Sequence, residues 1–231
     1  MRLALICSAG GASGFAAINI SMRAGLLTAS DILVVTDRAC KAEETATSRR
    51  IENVRITNPD KEGLSQNLLD CLLENHIDLS VMLFSRMVSS TLFDNTPLLN
   101  IHPSLLPAFP GLGAINAAKQ QNTKFLGATL HAVDENMDTG EIISQVSSPV
   151  DARAPKVDYD KISFIQKAYL LAVAIDLWAN EKLSGGGEDG PFRISSDLRF
   201  THSASPALQT SAMINEFTSF QNGEVPELII P

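Results

Sequence analysis

Short apolar runs alternate with segments of helical periodicity along most of the chain, and this alternation restricts the possible fold more than any other feature. The apolar runs that are typical of buried strands cover residues 2–7, 31–35, 54–57, 79–84, 98–101, 126–133 and 141–150. Helical spacing covers residues 15–27, 41–50, 64–76, 114–121 and 161–183. Strands that alternate with helices form a parallel sheet covered on both faces. The sequence therefore predicts an α/β fold with a mostly parallel sheet and helices on both of its faces.

The composition changes after this alternating region. Residues 184–190 read Ser-Gly-Gly-Gly-Glu-Asp-Gly, which is the composition of a linker. Beyond it, helical spacing returns only over residues 208–220. We therefore expect one domain over residues 1–183, a glycine-rich linker over 184–190 and a C-terminal extension over 191–231.

Net charge, cysteine content and the lengths of apolar runs limit the partners and the compartment that we expect. The net charge of −8 argues against a nucleic-acid partner, because phosphate contacts need clustered lysine and arginine. Cys7, Cys40 and Cys71 lack CxxC spacing, which indicates free thiols in a reducing compartment. The apolar run 3–7 is shorter than the roughly 7–15 residues of a signal-peptide core. The run 168–175 is shorter than the about 20 residues that span a bilayer. We expect a cytoplasmic protein with no membrane partner.

A glycine-rich loop follows the first predicted strand. Its core comprises Gly10, Gly11, Ala12, Ser13 and Gly14, directly before a predicted helix. Glycines let backbone N–H groups approach an anion, and the N-terminus of a helix attracts negative charge. The loop thus fits a phosphate site for a small substrate, but a tight turn that merely packs a strand against a helix fits it equally well.

Four polar residues follow or end predicted strands in the middle of the chain. Asn100 and His102 are two positions apart at the end of a strand, so both side chains leave the same face. The carboxyl ends of parallel strands are where such sheets bind ligands. His131 and Asp138 bracket the loop 132–137. Taken singly, each of these residues also fits an ordinary polar position at a strand end or in a solvated loop.

Three stretches in this region carry a more specific signal. They read Asn-Ile-His-Pro-Ser-Leu-Leu-Pro at 100–107, Phe-Pro-Gly-Leu at 109–112 and Gly-Ala-Thr-Leu-His-Ala-Val-Asp-Glu-Asn-Met-Asp-Thr-Gly-Glu-Ile-Ile at 127–143. Together they resemble the 10-formyltetrahydrofolate-dependent formyltransferases, and within that family most closely the phosphoribosylglycinamide formyltransferases of purine synthesis. The resemblance extends over residues 1–183, and residues 98–150 are its most specific part.

The resemblance implies a Rossmann-like sheet with Asn100, His102 and Asp138 as the catalytic residues. It implies 10-formyltetrahydrofolate as the cosubstrate, no metal, and a small amine as the acceptor, glycinamide ribonucleotide being the best match. The residues that it implies for folate binding are Arg86, Met87, Val88, His131, Val133, Asp134 and Glu135. The loop Gly10 to Gly14 matches the position where the family binds the phosphate of the acceptor.

The sequence departs from the family pattern on the acceptor side. A glutamate that meets the sugar-phosphate substrate in the family is replaced by Lys167, which reverses the charge. Residues 112–115 read Leu-Gly-Ala-Ile in place of the usual polar and basic residues. Formyltetrahydrofolate deformylases, which pass the formyl group to water, and sugar-amine formyltransferases share the catalytic motif, so these two acceptors remain alternatives.

Two functions from other classes remain open on the residues alone. His102, His131 and Asp138 could form a metal site of a hydrolase, since two imidazoles and a carboxylate are a known ligand set. A non-catalytic folate-binding module would retain the fold and lose turnover. The metal hypothesis leaves Asn100 without a role, and a binding module does not need all three catalytic residues.

Overall fold

A computed structural model describes residues 1–224, and an eight-stranded sheet runs through the centre of this part. The strands within residues 1–224, eight in this sheet and two in a separate pair, are β1 (Leu3–Cys7), β2 (Ile32–Thr36), β3 (Glu52–Arg55), β4 (Leu79–Leu83), β5 (Leu98–His102), β6 (Phe125–Ala132), β7 (Ile142–Pro149), β8 (Leu183–Ser184), β9 (Arg193–Ile194) and β10 (Ala204–Ser205). Their order in the sheet is β10-β7-β6-β5-β4-β1-β2-β3, and β8 pairs separately with β9.

The direction of the strands changes in the middle of this sheet. The pairs among β1, β2, β3, β4 and β5 are all parallel. The pairs β5–β6, β6–β7 and β7–β10 are antiparallel. The prediction of an α/β fold with a mostly parallel, helix-covered sheet is confirmed. Strand β5 is where the two halves meet, so its carboxyl end borders both kinds of pairing.

Alternation along the buried strands divides the core between the two faces of the sheet. On β1, Leu3, Leu5 and Cys7 join one hydrophobic cluster, and Ala4 and Ile6 join another. This division follows from the two-residue period of a strand, since successive side chains point to opposite faces. Continuous apolar runs are therefore what a parallel sheet with two covered faces requires.

Helices cover both faces of the sheet. Their bounds are α1 (Ala12–Arg23), α2 (Lys41–Ser48), α3 (Lys61–Glu74), α4 (Ser90–Phe93), α5 (Ala114–Gln120), α6 (Lys156–Ala179) and α7 (Ser211–Gln221). Helices α1, α2, α6 and α7 contribute to the first cluster, whereas α3 and α4 contribute to the second. Helix α1 begins three residues before its predicted start at 15, because the glycine loop passes directly into the helix.

Helix α6 is the longest described helix and contributes a long buried run to its face of the sheet. It is long and apolar enough to cross a membrane, but 67% of the apolar window is buried within the protein. Residues 170–175 are fully buried, and the helix packs against α1 and β6. A helix that is apolar on most sides suits the interior of a fold as well as a bilayer. In this chain α6 is a core helix.

The segment after α6 packs against the rest of the fold. Ser184 pairs with Arg193 between β8 and β9, and residues Gly187–Asp189 form a short 3-10 helix. Gly187 adopts a left-handed backbone conformation and approaches the main chain of Thr96 so closely that a Cβ would overlap it. In the predicted linker 184–190, Gly187 thus serves a tight turn and close packing.

The C-terminal segment is attached to α6 through a buried carboxylate. Asp176 is fully buried and accepts hydrogen bonds from the main-chain N–H groups of Gln209 at 2.5 Å and Thr210 at 3.1 Å. Thr210 in turn caps helix α7, because its hydroxyl accepts from the N–H of Met213. Strand β10 then adds to the edge of the sheet beside β7. The described part of the extension therefore packs as part of the central body. Residues 225–231, the end of the predicted extension, lie outside the described residues.

Candidate active site

Strands β5 and β6 bring the polar residues of the central motif together. Asn100 and His131 are directly opposite each other in the antiparallel pair, and the Asn100 side-chain amide donates to Nε2 of His131 at 3.1 Å. His102 lies two residues further along β5, on the same face as Asn100. The pairing of β6 with β7 shifts register between Leu130 and His131, an irregularity of the kind that redirects a side chain beside a site.

A second set of contacts fixes the ring of His102. Its Nδ1 lies 3.1 Å from Oδ2 of Asp138, and its Nε2 lies 2.8 Å from the main-chain carbonyl oxygen of Phe109. Both neighbours are acceptors, so the imidazolium form, with a proton on each nitrogen, satisfies both contacts. Oδ2 of Asp138 also accepts from the N–H of Gly111 at 2.7 Å. Loop 109–111 thereby supplies main-chain partners to both side chains.

His131 is held in the neutral state with a defined tautomer. Its Nδ1 lies 2.8 Å from the main-chain carbonyl of Ala132, which requires a proton on Nδ1. Nε2 is then free to accept the Asn100 amide. Burial lowers the pKa of His131 below its usual value, and the positive charge of His102 adds to this effect against the opposing influence of the Ala132 carbonyl and Asp138. His131 therefore orients Asn100 rather than exchanging protons at neutral pH.

The loop between β6 and β7 carries Asp138 and has an unusual backbone conformation. Asp138 itself has φ of 59°, in the left-handed region that a residue other than glycine rarely adopts. Gly140 lies so close to the main-chain carbonyl of Ala132 that a Cβ there would overlap its oxygen. The side chain of Asp138 is 8% exposed, so its carboxylate is almost completely removed from solvent. The short loop therefore holds the carboxylate in one position.

These residues form one wall of a cavity of about 310 Å³. The cavity opens at the carboxyl ends of β4 and β5 and is bounded by the loops that follow β4, β5 and β6. Its lining residues are Met82, Leu83, Phe84, Ser85, Arg86, Met87, Val88, Asn100, Ile101, His102, Pro103, Gly111, Leu112, Gly113, His131, Val133, Asp134, Asn136, Met137, Asp138 and Lys167. Its volume is within the range typical of small-molecule sites.

Most of the sequence-predicted folate residues lie along this cavity. Arg86, Met87, Val88, Val133 and Asp134 are all in its lining, whereas the exposed Glu135 is not. The guanidinium of Arg86 donates to the main-chain carbonyls at 58 and 59, at 2.6 and 3.0 Å, and so holds a neighbouring loop in place. The implied contact of Glu135 with a ligand therefore has no support from the shape of this cavity.

The glycine-rich loop is outside the cavity lining. Gly11 has φ of 60° and precedes helix α1, whose N-terminus has no side-chain cap. Ser13 is buried, and a Cβ on Gly14 would overlap the side chain of Leu5, so Gly14 serves the packing of helix against strand. The loop is connected to the next strand of the sheet, because the N–H of Ser85 donates to the Ser8 hydroxyl. The phosphate role of Gly10 to Gly14 stays a prediction.

The residue patterns did not predict the exposure at the rim of the cavity, and Lys167 was expected beside the acceptor only from the family resemblance. Leu112 is 87% exposed at its rim, between two glycines with positive φ, and Met137 is about half exposed nearby. Lys167 reaches the cavity from helix α6, a long way along the chain from the central motif. The left-handed glycines on either side of Leu112 were a usable signal, whereas the position of Lys167 required knowledge of how α6 packs.

The histidines and Asp138 do not form a recognisable metal site. Among residues 1–224, no group of three or more His, Cys, Asp or Glu side chains is arranged to hold a metal ion. His131 uses both ring nitrogens in contacts with the protein, one to Asn100 and one to Ala132. The arrangement instead presents an amide donor and an imidazole–carboxylate pair to one cavity, which is a set suited to acyl transfer.

Comparison with known proteins shows the family to which the chain belongs. The model of the formyl transferase family matches residues 1–173. The chain belongs to the formyl transferase family. It is thus an enzyme of the formyltransferase type, and its family uses a folate cosubstrate.

Individual relatives agree with this assignment. A phosphoribosylglycinamide formyltransferase from Bacillus subtilis is 32% identical over 158 residues, which cover 65% of this chain and 81% of that protein. The crystal structure of phosphoribosylglycinamide formyltransferase from Bacillus halodurans is 33% identical, with a TM-score of 0.70 over 78% of this chain and 97% of the other. Glycinamide ribonucleotide transformylase 1 from Symbiobacterium toebii is 29% identical, with a TM-score of 0.72 over 84% and 93%. This formyltransferase therefore has relatives of similar length and fold.

Proposed function

We propose that the protein transfers the formyl group of 10-formyltetrahydrofolate to the amine of glycinamide ribonucleotide. The observation that carries this proposal is the joint placement of Asn100, His102 and Asp138 on the wall of one cavity. The names of the relatives support the choice of acceptor. The reaction belongs to purine biosynthesis.

The cavity walls suit a flat, partly apolar donor. Met87, Val88 and Val133 line this wall with apolar side chains, of which Met87 is 39% exposed and Val88 is 3% exposed. Apolar walls with a few placed polar groups are typical of small-molecule sites. We assign the folate to this side of the cavity, with Asp134 and the main chain of loop 133–138 available to its polar ring atoms.

Asn100 would stabilise the charge that develops during transfer. Attack of the amine nitrogen on the formyl carbon makes a tetrahedral intermediate with a negative oxygen. One N–H of the Asn100 amide is engaged by His131, and the other remains for the formyl oxygen. A single donor of this type is commonly worth about 3 kcal/mol of barrier. The fixed His131 thus pre-orients the donor before substrate binds.

His102 and Asp138 would supply charge and move protons. An imidazolium at His102, held between Asp138 and the Phe109 carbonyl, places a positive charge beside the developing oxyanion. Asp138 accepts, through water, the proton that the attacking amine loses. The nitrogen of the folate leaves with a proton, so formyl transfer balances without an added oxidant or reductant.

The loop Gly10 to Gly14 is our proposed site for the phosphate of the acceptor. Its support is the uncapped N-terminus of α1, where main-chain N–H groups lack side-chain partners. The loop follows β1, which lies beside β4, and β4 leads into the cavity. A substrate that extends from the cavity across Ser85 would bring its phosphate toward this loop.

A turnover assay with the purified protein tests this function. 10-Formyltetrahydrofolate is supplied with glycinamide ribonucleotide, with a panel of amino sugars, or with water alone. We expect formylation of glycinamide ribonucleotide, and we expect Asp138→Asn to lower kcat by about 1,000-fold while the variant stays folded. The exposed Asp94 provides the matched control, since Asp94→Asn removes the same charge away from the cavity.

The assay separates the candidate functions by their products. Failure of the protein to bind or consume the formyl donor would contradict the proposal at its first step. Release of formate with water alone, at the rate seen with amines, would assign a deformylase activity instead. Preferential formylation of an amino sugar would retain the reaction and change the acceptor.

A further inference from the structure

The carbonyl that faces His102 belongs to a residue with an unusual backbone conformation. Phe109, whose carbonyl oxygen lies 2.8 Å from Nε2 of His102, has φ of 53°. This is the left-handed region, which residues other than glycine rarely adopt. Such a conformation persists only where neighbouring groups determine it. The direction of the Phe109 carbonyl therefore depends on the contacts that hold loop 103–109.

A row of side chains crosses the antiparallel half of the sheet, beginning at His102. His102 on β5 lies opposite Thr129 on β6, and Thr129 lies opposite Gln145 on β7. Residues that are directly opposite each other in antiparallel strands point to the same face of the sheet. The hydroxyl of Thr129 and the amide of Gln145 therefore lie on the same face as the imidazole of His102.

Loop 103–109 is attached to this row through the main chain of Leu106. The N–H of Leu106 donates to the Thr129 hydroxyl at 3.0 Å, and its carbonyl accepts from Nε2 of Gln145 at 2.9 Å. Nε2 of Gln145 also donates to the Thr129 hydroxyl at 3.0 Å. Leu106 is buried, so its main-chain groups need partners within the protein. Gln145 thus holds the middle of the loop from β7.

Two hydroxyl groups continue the hydrogen bonds from Gln145 towards Phe109. The Thr129 hydroxyl donates to the Ser104 carbonyl at 2.7 Å. The Ser104 hydroxyl donates to the Ala108 carbonyl at 2.5 Å and lies 3.3 Å from the Phe109 carbonyl oxygen. Both hydroxyl-bearing residues are buried. A continuous set of hydrogen bonds therefore connects the amide of Gln145 with the end of the loop that carries the Phe109 carbonyl.

Gln145 itself does not reach the cavity. It is absent from the cavity lining, as are Ser104 and Thr129. Its side chain is partly buried, and its Nε2 donates to two groups of the protein. An effect of Gln145 on formyl transfer must therefore pass through loop 103–109 to His102.

We infer that Gln145 is a positioning residue for formyl transfer, because it holds the loop that keeps the Phe109 carbonyl against His102. This inference rests on the proposed function for the identity of the reaction, and it adds a residue of β7 to the support of the imidazole. With an acceptor at Nε2, the ring keeps a proton on that nitrogen and a fixed orientation. Without this acceptor, a buried N–H would lose its partner and the ring could turn.

Steady-state kinetics of Gln145→Met with 10-formyltetrahydrofolate and glycinamide ribonucleotide tests the inference. Methionine has a side chain of similar length and removes both N–H donors. A displacement of about 1 Å at a reacting group can lower the rate by about 100-fold, and Gln145 acts at a distance, so we expect kcat to fall by about tenfold or more. The KM of either substrate should change by less than about threefold, since Gln145 contacts neither.

Gln166→Met is the matched control for this substitution. Nε2 of Gln166 also donates to a main-chain carbonyl and a hydroxyl, those of Leu126 at 2.8 Å and Ser148 at 3.1 Å. The same change thus removes the same kinds of hydrogen bond away from loop 103–109. Both variants should unfold at a lower urea concentration, whereas Gln166→Met should keep kcat within about threefold of the wild-type value. An equal fall of kcat in both variants would overturn the inference, because a general loss of stability would explain it.

A measurement on the substrate-free protein separates this inference from the proposed reaction. The histidines are labelled with ¹⁵N, and the ring signals of His102 are assigned by their loss in His102→Gln. The proton on Nε2 of His102 should give a resonance in the wild-type protein and in Gln166→Met, because the ring is buried and Nε2 faces an acceptor. In Gln145→Met this resonance should move upfield or be lost to exchange with water. That result supports the positioning of His102 by Gln145 even if no formyl transfer to glycinamide ribonucleotide occurs.

Other outcomes would contradict the role of Gln145. An unchanged His102 resonance in Gln145→Met overturns the inference, and so does an unchanged kcat in a protein that is active. A higher KM with unchanged kcat also overturns it, because it would place Gln145 in substrate binding. If Gln145→Met fails to fold, Gln145→Asn withdraws the amide from Leu106 by one methylene group, and the same two measurements decide the question.

Discussion

The reaction centre and the rim of the cavity differ in how their side chains are held. Asn100, His102, His131 and Asp138 are linked by polar contacts of 2.7–3.1 Å to one another or to the main chain. The rim residue Leu112 is 87% exposed. Groups that stabilise a transition state gain from being fixed in advance. Groups that enclose a substrate must allow it to enter.

This difference explains where the fold has unusual backbone. Asp138 adopts a left-handed conformation, and Gly140 fits against the Ala132 carbonyl where no larger residue fits. Both lie within the short loop that delivers the carboxylate to His102. Strain of this kind persists only where the surrounding structure determines the conformation. At the rim, Gly111 and Gly113 also have positive φ, but an added Cβ on Gly113 would meet no atom within 4 Å.

The largest effect on stability should come from adding one methyl group beside the reaction centre. Gly140→Ala forces the loop away from the main chain of Ala132, which moves Asp138 relative to His102. We expect a loss of about 3 kcal/mol or more in the free energy of unfolding and a fall in kcat of at least tenfold. Urea denaturation and steady-state kinetics measure the two quantities.

Gly25→Ala is the control for this substitution. Gly25 has φ of 77° with no atom within 4 Å of an added Cβ, so only backbone strain is introduced. It should cost about 1 kcal/mol and leave kcat unchanged. Equal destabilisation by the two substitutions would show that the close contact at Gly140 is not what holds the loop.

A smaller effect should appear in the pH dependence of stability, through the neutral His131. Its pKa is lowered in the folded state, so the unfolded chain, with a pKa of about 6.5, takes up a proton first as the pH falls. The free energy of unfolding should therefore decrease below about pH 6.5, until the folded-state pKa is passed. His131→Gln should remove up to about 1.4 kcal/mol per pH unit of that slope.

Chemical denaturation at a series of pH values between 7 and 5 measures this slope. His202 is exposed, so His202→Gln should retain the wild-type dependence and provides the matched control. An unchanged slope in His131→Gln would contradict the assignment of a buried neutral ring as the support of Asn100.

The smallest effect should follow truncation at the rim. Leu112→Ala removes a side chain that is mostly in solvent, so the free energy of unfolding should change by less than about 0.5 kcal/mol. If Leu112 covers the bound donor, KM for the donor should rise about fivefold, because apolar surface then remains uncovered. Calorimetric binding of the donor checks this value, and an unchanged affinity would assign Leu112 no part in enclosing the ligand.

The sequence was most informative where local pattern and tertiary packing agree. Strand β1 has a continuous apolar run because both of its faces are covered, and its bounds were predicted to within one residue. Helix α6 begins at Lys156, five residues before the predicted start, because the first turns are more polar than the buried run at 168–175. Strands β8, β9 and β10 contain two residues each, so they have no period from which to predict them.

The candidate site was predictable only in part, for physical reasons. Asn100 and His102 share a face because of the strand period, and Asp138 could be expected near them only from the family motif. The Phe109 carbonyl and the Gly111 N–H carry no side-chain signal, although they complete the contacts of His102 and Asp138. Glu135 follows Asp134 in the sequence but lies outside the cavity lining, since neighbouring loop residues point in different directions.

The pairing of β10 with β7 has a consequence for the chain in solution. An edge strand with free N–H and C=O groups is a template on which another chain can add a strand. Ala204 and Ser205 lie opposite Val146 and Gln145, and the N–H of Ser147 donates to the Ser203 carbonyl at 2.7 Å. The C-terminal segment thereby closes the edge of the antiparallel half. A change that removes β10 from this edge should first appear as concentration-dependent aggregation. The molecules that remain dissolved should keep the chemistry of the cavity.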